Sequence, residues 1–544
     1  MRILFFVFLA CVCLTIYSGY LYSGFVFDDQ VLVQDNPLIK SARLLPRVFK
    51  TDIYEYWIGQ QLFDRMYRPL QMVSYYLDYN LWGVNPAGFR FTNLFLHLVN
   101  AVLVFYLIWM LFKNNLLAGA TSLLFLVHPV QISSIAYISA RGDLLSGLFI
   151  LSGCILFIKF LNSSDIRFYL LSVLSGALAL LSRENALLLI FFLFLFSFLV
   201  SKRKPSFKIW SGFFILYIFY FFIRVIALGP TALATHAIYL QGGLKLANFS
   251  NVIFNYFLLL LWPQNLGMFH LIDFIQKLSG VSLYFFVSGL LIVLSISVLW
   301  FKKRRFAHPV LKFSLFWFLI GMLPVYLYFD AYPALGKALM AESWLYLPSI
   351  GFFAAVSYFC LLYKKGRFII FAWALILGSV VLANRVYWGN EVIFYQRAMR
   401  FLPEDNIFQK KLASAYIRRG DFLRARLTIE RLAEYHPDSP VVNFAWAQYY
   451  QAIGRPAQAI GYYQRVLGRS FLTDYYLSLC YSNLGDPKNA IVFGKESFNL
   501  NPLYLPNIIQ LAVLYKESGE IIEANNYINL ANLINPKYKQ ILFK

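Results

Sequence analysis

Acidic side chains are scarce in this 544-residue chain, where 26 Asp and Glu stand against 48 Lys and Arg and charged residues of both signs reach only 14%. With 60% hydrophobic residues and a mean hydropathy of +0.61, that shortage excludes an ordinary soluble protein and places the chain in a membrane class. Cysteine is also sparse: Cys11, Cys13, Cys154 and Cys360 fall in apolar segments and only Cys480 in a polar one. No disulfide framework follows from that distribution. Glycine-rich phosphate cradles of the GxGxxG or P-loop kind are missing, so nothing points to a nucleotide held in such a loop. The net charge of +22 does not point to nucleic acid, because the basic residues form short clusters between apolar runs. They read as topogenic charge facing the cytoplasm.

What is abundant is apolar sequence in runs of spanning length. Leu9-Ala10-Cys11 faintly resembles a lipoprotein cleavage site, but the run that begins at Met1 and ends near Tyr22 approaches the ~20 residues a span needs, which favours an uncleaved first helix. Further spans are expected near 91–112, 115–128, 144–161, 167–181, 185–201, 209–228, 281–301, 309–328, 344–363 and 368–386. The total is about eleven transmembrane helices. Lys113, Arg167, Lys202-Arg203-Lys204, Lys302-Lys303-Arg304-Arg305 and Lys364-Lys365 then share the cytoplasmic side with the N-terminus. If 249–262 also spanned, the last two clusters would lie outside. That segment is therefore read as a re-entrant or interfacial hairpin with Trp262-Pro263 at its turn, in an outer loop of about 229–280.

This topology sorts the ionisable residues. Asp28, Asp29, Arg68, Arg90, His128, Arg141, Asp143, Arg183, Glu184, Arg224, His236, Asp273, Asp330, Lys337 and Glu342 all fall on the outer side or at outer helix ends. Acids and bases mixed on one membrane face suggest a composite polar site there. The most informative pair is Asp28-Asp29, in a first outer loop of about 24–90 that opens where the first apolar run ends. Hydrocarbon rejects charge and helix flanks favour Lys, Trp or Tyr, so folding alone explains adjacent carboxylates poorly.

From about residue 400 the chain becomes polar and periodic. Ala413, Tyr416, Gly420 and Ala425 recur 34 residues later as Ala447, Tyr450, Gly454 and Ala459, the tetratricopeptide period. Gly485 and Ala490 resume the pattern after a three-residue shortening, and Ala512, Tyr515, Gly519, Ala524, Ala531 and Pro536 complete a fourth repeat. The stretch 390–403 reads as half of a degenerate first repeat. The expected organisation is a membrane domain over 1–389 and a C-terminal tetratricopeptide-repeat α-solenoid over 390–544, all-α throughout. Such arrays bind polypeptides, by fold-level analogy alone.

Tyr67-Arg68-Pro69-Leu70, Leu81-Trp82-Gly83-Val84-Asn85-Pro86 and Asn93-Leu94-Phe95-Leu96-His97 are followed in order by His128-Pro129-Val130, Arg141-Gly142-Asp143, Ser182-Arg183-Glu184-Asn185, Leu345-Tyr346-Leu347-Pro348-Ser349 and Asn384-Arg385 with Trp388. The ordered set resembles the transmembrane and tetratricopeptide-repeat protein O-mannosyltransferases, polytopic enzymes of the GT-C glycosyltransferase superfamily. The resemblance implies a polyprenyl phosphate-linked sugar donor, with mannose the first candidate sugar, and an active-site acid in the first outer loop. By position that acid is Asp28 or Asp29. The family resembles Glu-Arg ahead of the Leu-Tyr-Leu-Pro-Ser run, whereas here Glu342 is followed by Ser343 and Trp344. Another cation must then serve the donor phosphate, and Arg68, Arg141 and Arg183 are the candidates.

The chemistry agrees. A lipid-phosphate sugar keeps its tail in the bilayer and its anomeric carbon at the surface, so its transferase needs a carboxylate base within ~2.6–3.2 Å of the acceptor hydroxyl and cationic donors for the departing phosphate. One aspartate can be the base, with Asp28, nearer the membrane, slightly favoured; the other can orient it or hold a divalent metal. Asp143, Glu184, His128 and Glu342 are supporting candidates. Each has a plainer role: Arg183-Glu184 and Arg141 with Asp143 as structural ion pairs, Arg68 as a headgroup anchor, His128 as a cap. The expected activity is an inverting transfer to a hydroxyl, foremost of protein Ser/Thr, on the periplasmic or luminal face of a bacterial-type inner membrane, the repeats recruiting the polypeptide. Two other readings stay open: a lipid or polysaccharide acceptor, and a non-enzymatic scaffold or transporter.

Overall fold

The structure is a computed structural model that describes residues 2–56, 66–199, 207–229, 242–264, 266–273, 308–328, 337–437, 439–468 and 470–536. It is helical apart from one antiparallel two-stranded ribbon, β1 (Phe269–Asp273) and β2 (Lys337–Ala341), in which Phe269 faces Ala341 and Asp273 faces Lys337. Two compact units emerge, one of Met1–Ser23, Tyr67–Gln71 and Pro86–Val386, the other of Gly24–Met66, Met72–Asn85 and Tyr387–Lys544.

In the first unit, six helices among the described residues are long and apolar enough to cross a bilayer: Arg2–Tyr22, Pro86–Phe112, Ile138–Ser163, Phe207–Leu228, Pro309–Tyr326 and Gly366–Gly389. A seventh is formed if Asn115–Val127 and Pro129–Ala136, bent by 53° at His128, make one span. The segments expected at 167–181, 185–201 and 344–363 are the shorter apolar helices Ile166–Ser182, Glu184–Leu199 and Ser349–Leu361, and 281–301 lies outside the described residues. Phe214, Ile215, Ile218, Phe219, Phe222 and Ile226 stand exposed on Phe207–Leu228, as a lipid-facing helix requires and a soluble one does not.

The 249–262 segment belongs to one helix, Gly242–Leu261. The chain turns at Trp262-Pro263, where the Gln264 N–H reaches the Trp262 carbonyl, and returns as β1 rather than as a second helical arm. β1 finds its partner 64 or more residues away in β2, a pairing that local hydropathy does not encode.

Buried polar groups fix how these helices meet. The His97 ring nitrogens lie 3.2 Å from the Leu126 carbonyl and 3.0 Å from the Tyr346 hydroxyl. A carbonyl only accepts, so Nε2 carries the proton and Nδ1 accepts from Tyr346, whose oxygen in turn accepts the Asn100 amide at 2.9 Å. Trp317 donates to the Leu347 carbonyl at 2.7 Å and Gln131 to Ser349 at 3.1 Å. Each bond contributes about 1 kcal/mol, and more is lost if one partner is left buried alone. Gly351 permits the closest helix crossing: a Cβ there would lie 2.3 Å from the Ser314 carbonyl oxygen.

In the second unit Glu391–Phe401 precedes four helix pairs, Asn406–Arg418 with Phe422–Tyr435, Pro440–Ala452 with Pro456–Gln464, Phe471–Asn483 with Pro487–Leu500, and Leu505–Glu517 with Ile521–Ile534. Gly420, Gly454, Gly485 and Gly519 each adopt positive φ, from 73° to 81°, at the turn inside a pair. That left-handed conformation is the reason glycine recurs there. Asp405, Asp421, Ser439, Ser470 and Asp486 cap helix N-termini through their side chains. Ala413, Ala447 and Ala459 are buried where paired helices approach, and Tyr450 stacks on Tyr462 at 5.3 Å.

Candidate functional site

The aspartate pair lies in the second unit, with the repeats. Asp29 is fully buried and turned back into its own loop: its backbone N–H donates to the Val26 carbonyl at 3.0 Å and its Oδ2 accepts the Val26 N–H at 3.4 Å. Asp28 is only half-buried, and its Oδ2 accepts the Tyr54 hydroxyl at 3.0 Å. The neighbours thus do different work, Asp29 closing the turn and Asp28 pointing to other groups. Their carboxylates engage different partners, and among the described residues no three His, Cys, Asp or Glu side chains converge on a metal site.

Phe27, directly before Asp28, has φ +52°. A left-handed bulky residue costs about 1–3 kcal/mol and persists only where surroundings hold it. The hold comes from the helices before and within the first repeat. The Phe27 ring stacks on Phe408 at 5.1 Å with an 11° tilt, Lys411 Nζ sits 5.2 Å over it, and its N–H donates to the Tyr395 hydroxyl at 3.3 Å. Gln30 donates to Glu391 at 3.1 Å, and Arg418 pairs with the same carboxylate. Burial holds the Lys411 ammonium below the usual lysine range, against the opposing pull of Asp28, Glu391 and Asp29. Lower in the loop, Asn501 donates to the Tyr56 carbonyl.

The arginines lie in the first unit. Arg68 Nε contacts Glu184 Oε2 at 2.8 Å and Arg224 Nη1 contacts Oε1 at 3.2 Å, all three mostly buried. The Tyr67 N–H donates to Glu184 at 3.2 Å. Arg183 pairs with Asp143. Three guanidiniums against two carboxylates give this cluster a net charge of +1, suited to an anion. Arg141 is elsewhere: fully buried, it donates through Nε to Asn93 at 2.7 Å and through Nη2 to the Phe89 carbonyl at 2.7 Å.

The supporting candidates are also placed. Glu342 accepts the Gly267 N–H at 2.6 Å and contacts His270 at 2.9 Å, tying the turn ahead of β1 to the end of β2. His128 has both ring nitrogens engaged, Nε2 with the Leu260 carbonyl at 3.0 Å and Nδ1 with the Val130 N–H at 3.2 Å, so it caps the bent helix pair. His236 and Asp330 lie outside the described residues. Sequence reasoning did not single out Tyr54, Phe408 or Lys411, read Glu391 and Tyr395 only as marks of the degenerate first repeat, and ranked Arg224 no higher than other outer charges. No local pattern marks them, because each gains meaning only through a distant partner.

A tetratricopeptide-repeat family model matches residues 411–439. The chain is 31% identical over 194 residues to a protein O-mannosyl-transferase, F38B6.6, of Caenorhabditis elegans, covering 35% of this chain and 27% of that protein. It is 31% identical over 190 residues to human protein O-mannosyl-transferase TMTC1, covering 33% and 21%, and 31% identical over 136 residues to human TMTC3, covering 25% and 15%. The matched stretch thus spans about a quarter or less of each relative's length.

Proposed function

We propose that this chain, which is similar to transmembrane and tetratricopeptide-repeat protein O-mannosyltransferases, is an integral membrane glycosyltransferase of the GT-C kind acting on protein. Its donor is a polyprenyl phosphate-linked sugar, mannose first, and its acceptor a Ser or Thr hydroxyl on the periplasmic or luminal side, the repeats recruiting the polypeptide. One observation carries the reading: a half-buried carboxylate, Asp28, presented by a strained turn just beyond the first apolar helix.

In this reading Asp28 takes the proton of the acceptor hydroxyl as its oxygen attacks the anomeric carbon. The bond from that carbon to the phosphate oxygen breaks, and the polyprenyl phosphate leaves with the electron pair. One displacement inverts the anomeric centre without a covalent enzyme intermediate. Asp29 fixes the turn that carries the base. Within the first unit, Arg68, Arg183 and Arg224 form a cluster whose charge and planar hydrogen-bonding forks suit a phosphate. Arg141, which donates to Asn93 and to the Phe89 carbonyl, is the remaining candidate cation of that unit.

The test supplies the purified full chain with polyprenyl phosphate mannose or GDP-mannose and Ser/Thr-rich polypeptides, reading the products by mass spectrometry. Transfer to polypeptide from the lipid-linked donor alone is expected. Transfer from the nucleotide sugar, or to lipid instead of polypeptide, would overturn the reading.

A further inference from the structure

The repeats were expected to serve as a dock, yet the turn that presents Asp28 is built against them. Phe27 is held left-handed by the Phe408 ring and the Tyr395 hydroxyl, and Lys411 lies over the same ring. Gln30 continues the contact through Glu391 to Arg418. All these groups belong to one compact unit. A polypeptide dock has no need of any of them, whereas a base that must be aimed needs its backbone fixed and its charge balanced.

We propose that the first repeat is a positioning element of the catalytic apparatus, with Lys411, Phe408 and Tyr395 holding the Phe27–Asp29 turn so that Asp28 meets the acceptor hydroxyl. The inference rests on reading Asp28 as the base. Asp28 accepts the Tyr54 hydroxyl and lies within electrostatic reach of Lys411 and Tyr395, which also feel Glu391 and Arg418. The Lys411 ammonium lies 5.2 Å over the Phe27 ring. Removing it takes a positive charge from beside Asp28, which favours the neutral carboxyl. The positioning groups act through Asp28 and touch no substrate.

The experiment uses the full chain in lipid nanodiscs with polyprenyl phosphate mannose, comparing Lys411→Met, Lys411→Arg, Tyr395→Phe and Asp28→Asn. For Lys411→Met the acidic limb of the kcat pH profile should move up by about one pH unit. Its kcat at neutral pH should fall about tenfold with the polypeptide KM unchanged, and Lys411→Arg should restore both. Tyr395→Phe deletes only the hydroxyl that receives the Phe27 N–H, so it should lower kcat without moving the limb. It also decides the matter if Lys411→Met fails to fold. Unchanged kcat and pH profile in Lys411→Met or unchanged kcat in Tyr395→Phe, with Asp28→Asn inactive, would overturn the positioning role alone. An active Asp28→Asn would instead overturn the assignment of the base.

Discussion

Replacing Glu184 by Gln should destabilise the membrane unit more than any surface charge change. Its carboxylate bridges Arg68 at 2.8 Å and Arg224 at 3.2 Å, with side chains only 11–13% exposed, and accepts the Tyr67 N–H. At that depth the relevant range is that for breaking a buried pair, about 3–5 kcal/mol, not the 0–1 kcal/mol typical of exposed pairs. Glutamine keeps the volume and one acceptor oxygen, which recovers about 1 kcal/mol. The net loss of about 2–4 kcal/mol corresponds to roughly 3–6 °C in a detergent thermal melt for a unit of this size. Arg167→Gln, which removes an exposed partner of Asp165, should leave the melt unchanged. Arg68→Met and Glu184→Gln should be non-additive because they share partners. A Glu184→Gln melt indistinguishable from that of the parent would refute the reasoning, because the carboxylate would then be solvated and not the hub of the cluster.

Gly351→Ala would place a methyl 2.3 Å from the Ser314 carbonyl, so a loss of at least about 1–3 kcal/mol is expected from a strained helix crossing, read by thermal melting. Gly461 lies inside the helix Pro456–Gln464 with open space around a built Cβ, and Gly461→Ala should stabilise the repeats by about 0.5–1 kcal/mol in chemical denaturation. Burial and the Lys411 charge push the Lys410 ammonium down to about 8. Between that value and the unfolded lysine value the unfolded chain binds more protons, so stability rises with pH across the interval and the full cost of the buried charge is felt below it. Lys410→Met should flatten that rise when melts near pH 7.5 and near pH 9.5 are compared, and an equal rise in both proteins would contradict it.

Much of this architecture was legible in the chain. Apolar runs of bilayer length located the long helices, and the recurring alanines, tyrosines and glycines located the helix pairs, because both signals are local and periodic. The positive φ at Gly420, Gly454, Gly485 and Gly519 is the physical cause of the spacing that sequence alone displayed. The candidate site was legible in residue type but not in partnership. Asp28 stood out as a charge where apolar sequence ends, while the contacts of the Phe27–Asp28 turn, Tyr54 and the helices that carry Tyr395, Phe408 and Lys411, come from up to 384 positions away in the chain. Arg141 and His128 looked like outer-face charges. They are buried and hydrogen-bonded to Asn93, Phe89, Leu260 and Val130, partners that no local pattern distinguishes. The segment 249–262, expected as a re-entrant or interfacial hairpin, is mostly the second half of the helix Gly242–Leu261, and the return of the chain as β1 depends on pairing with β2.

The most direct test of the account is single-turnover transfer from polyprenyl phosphate mannose to polypeptide by Asp28→Asn and Asp29→Asn proteins of unchanged melting temperature. Asp28→Asn should lose transfer by about 10²–10⁴-fold, the range for a general base, while still binding donor. Asp29→Asn should lose less and show its defect in stability of the turn as well as in rate. Wild-type transfer rates in Asp28→Asn would contradict the central claim.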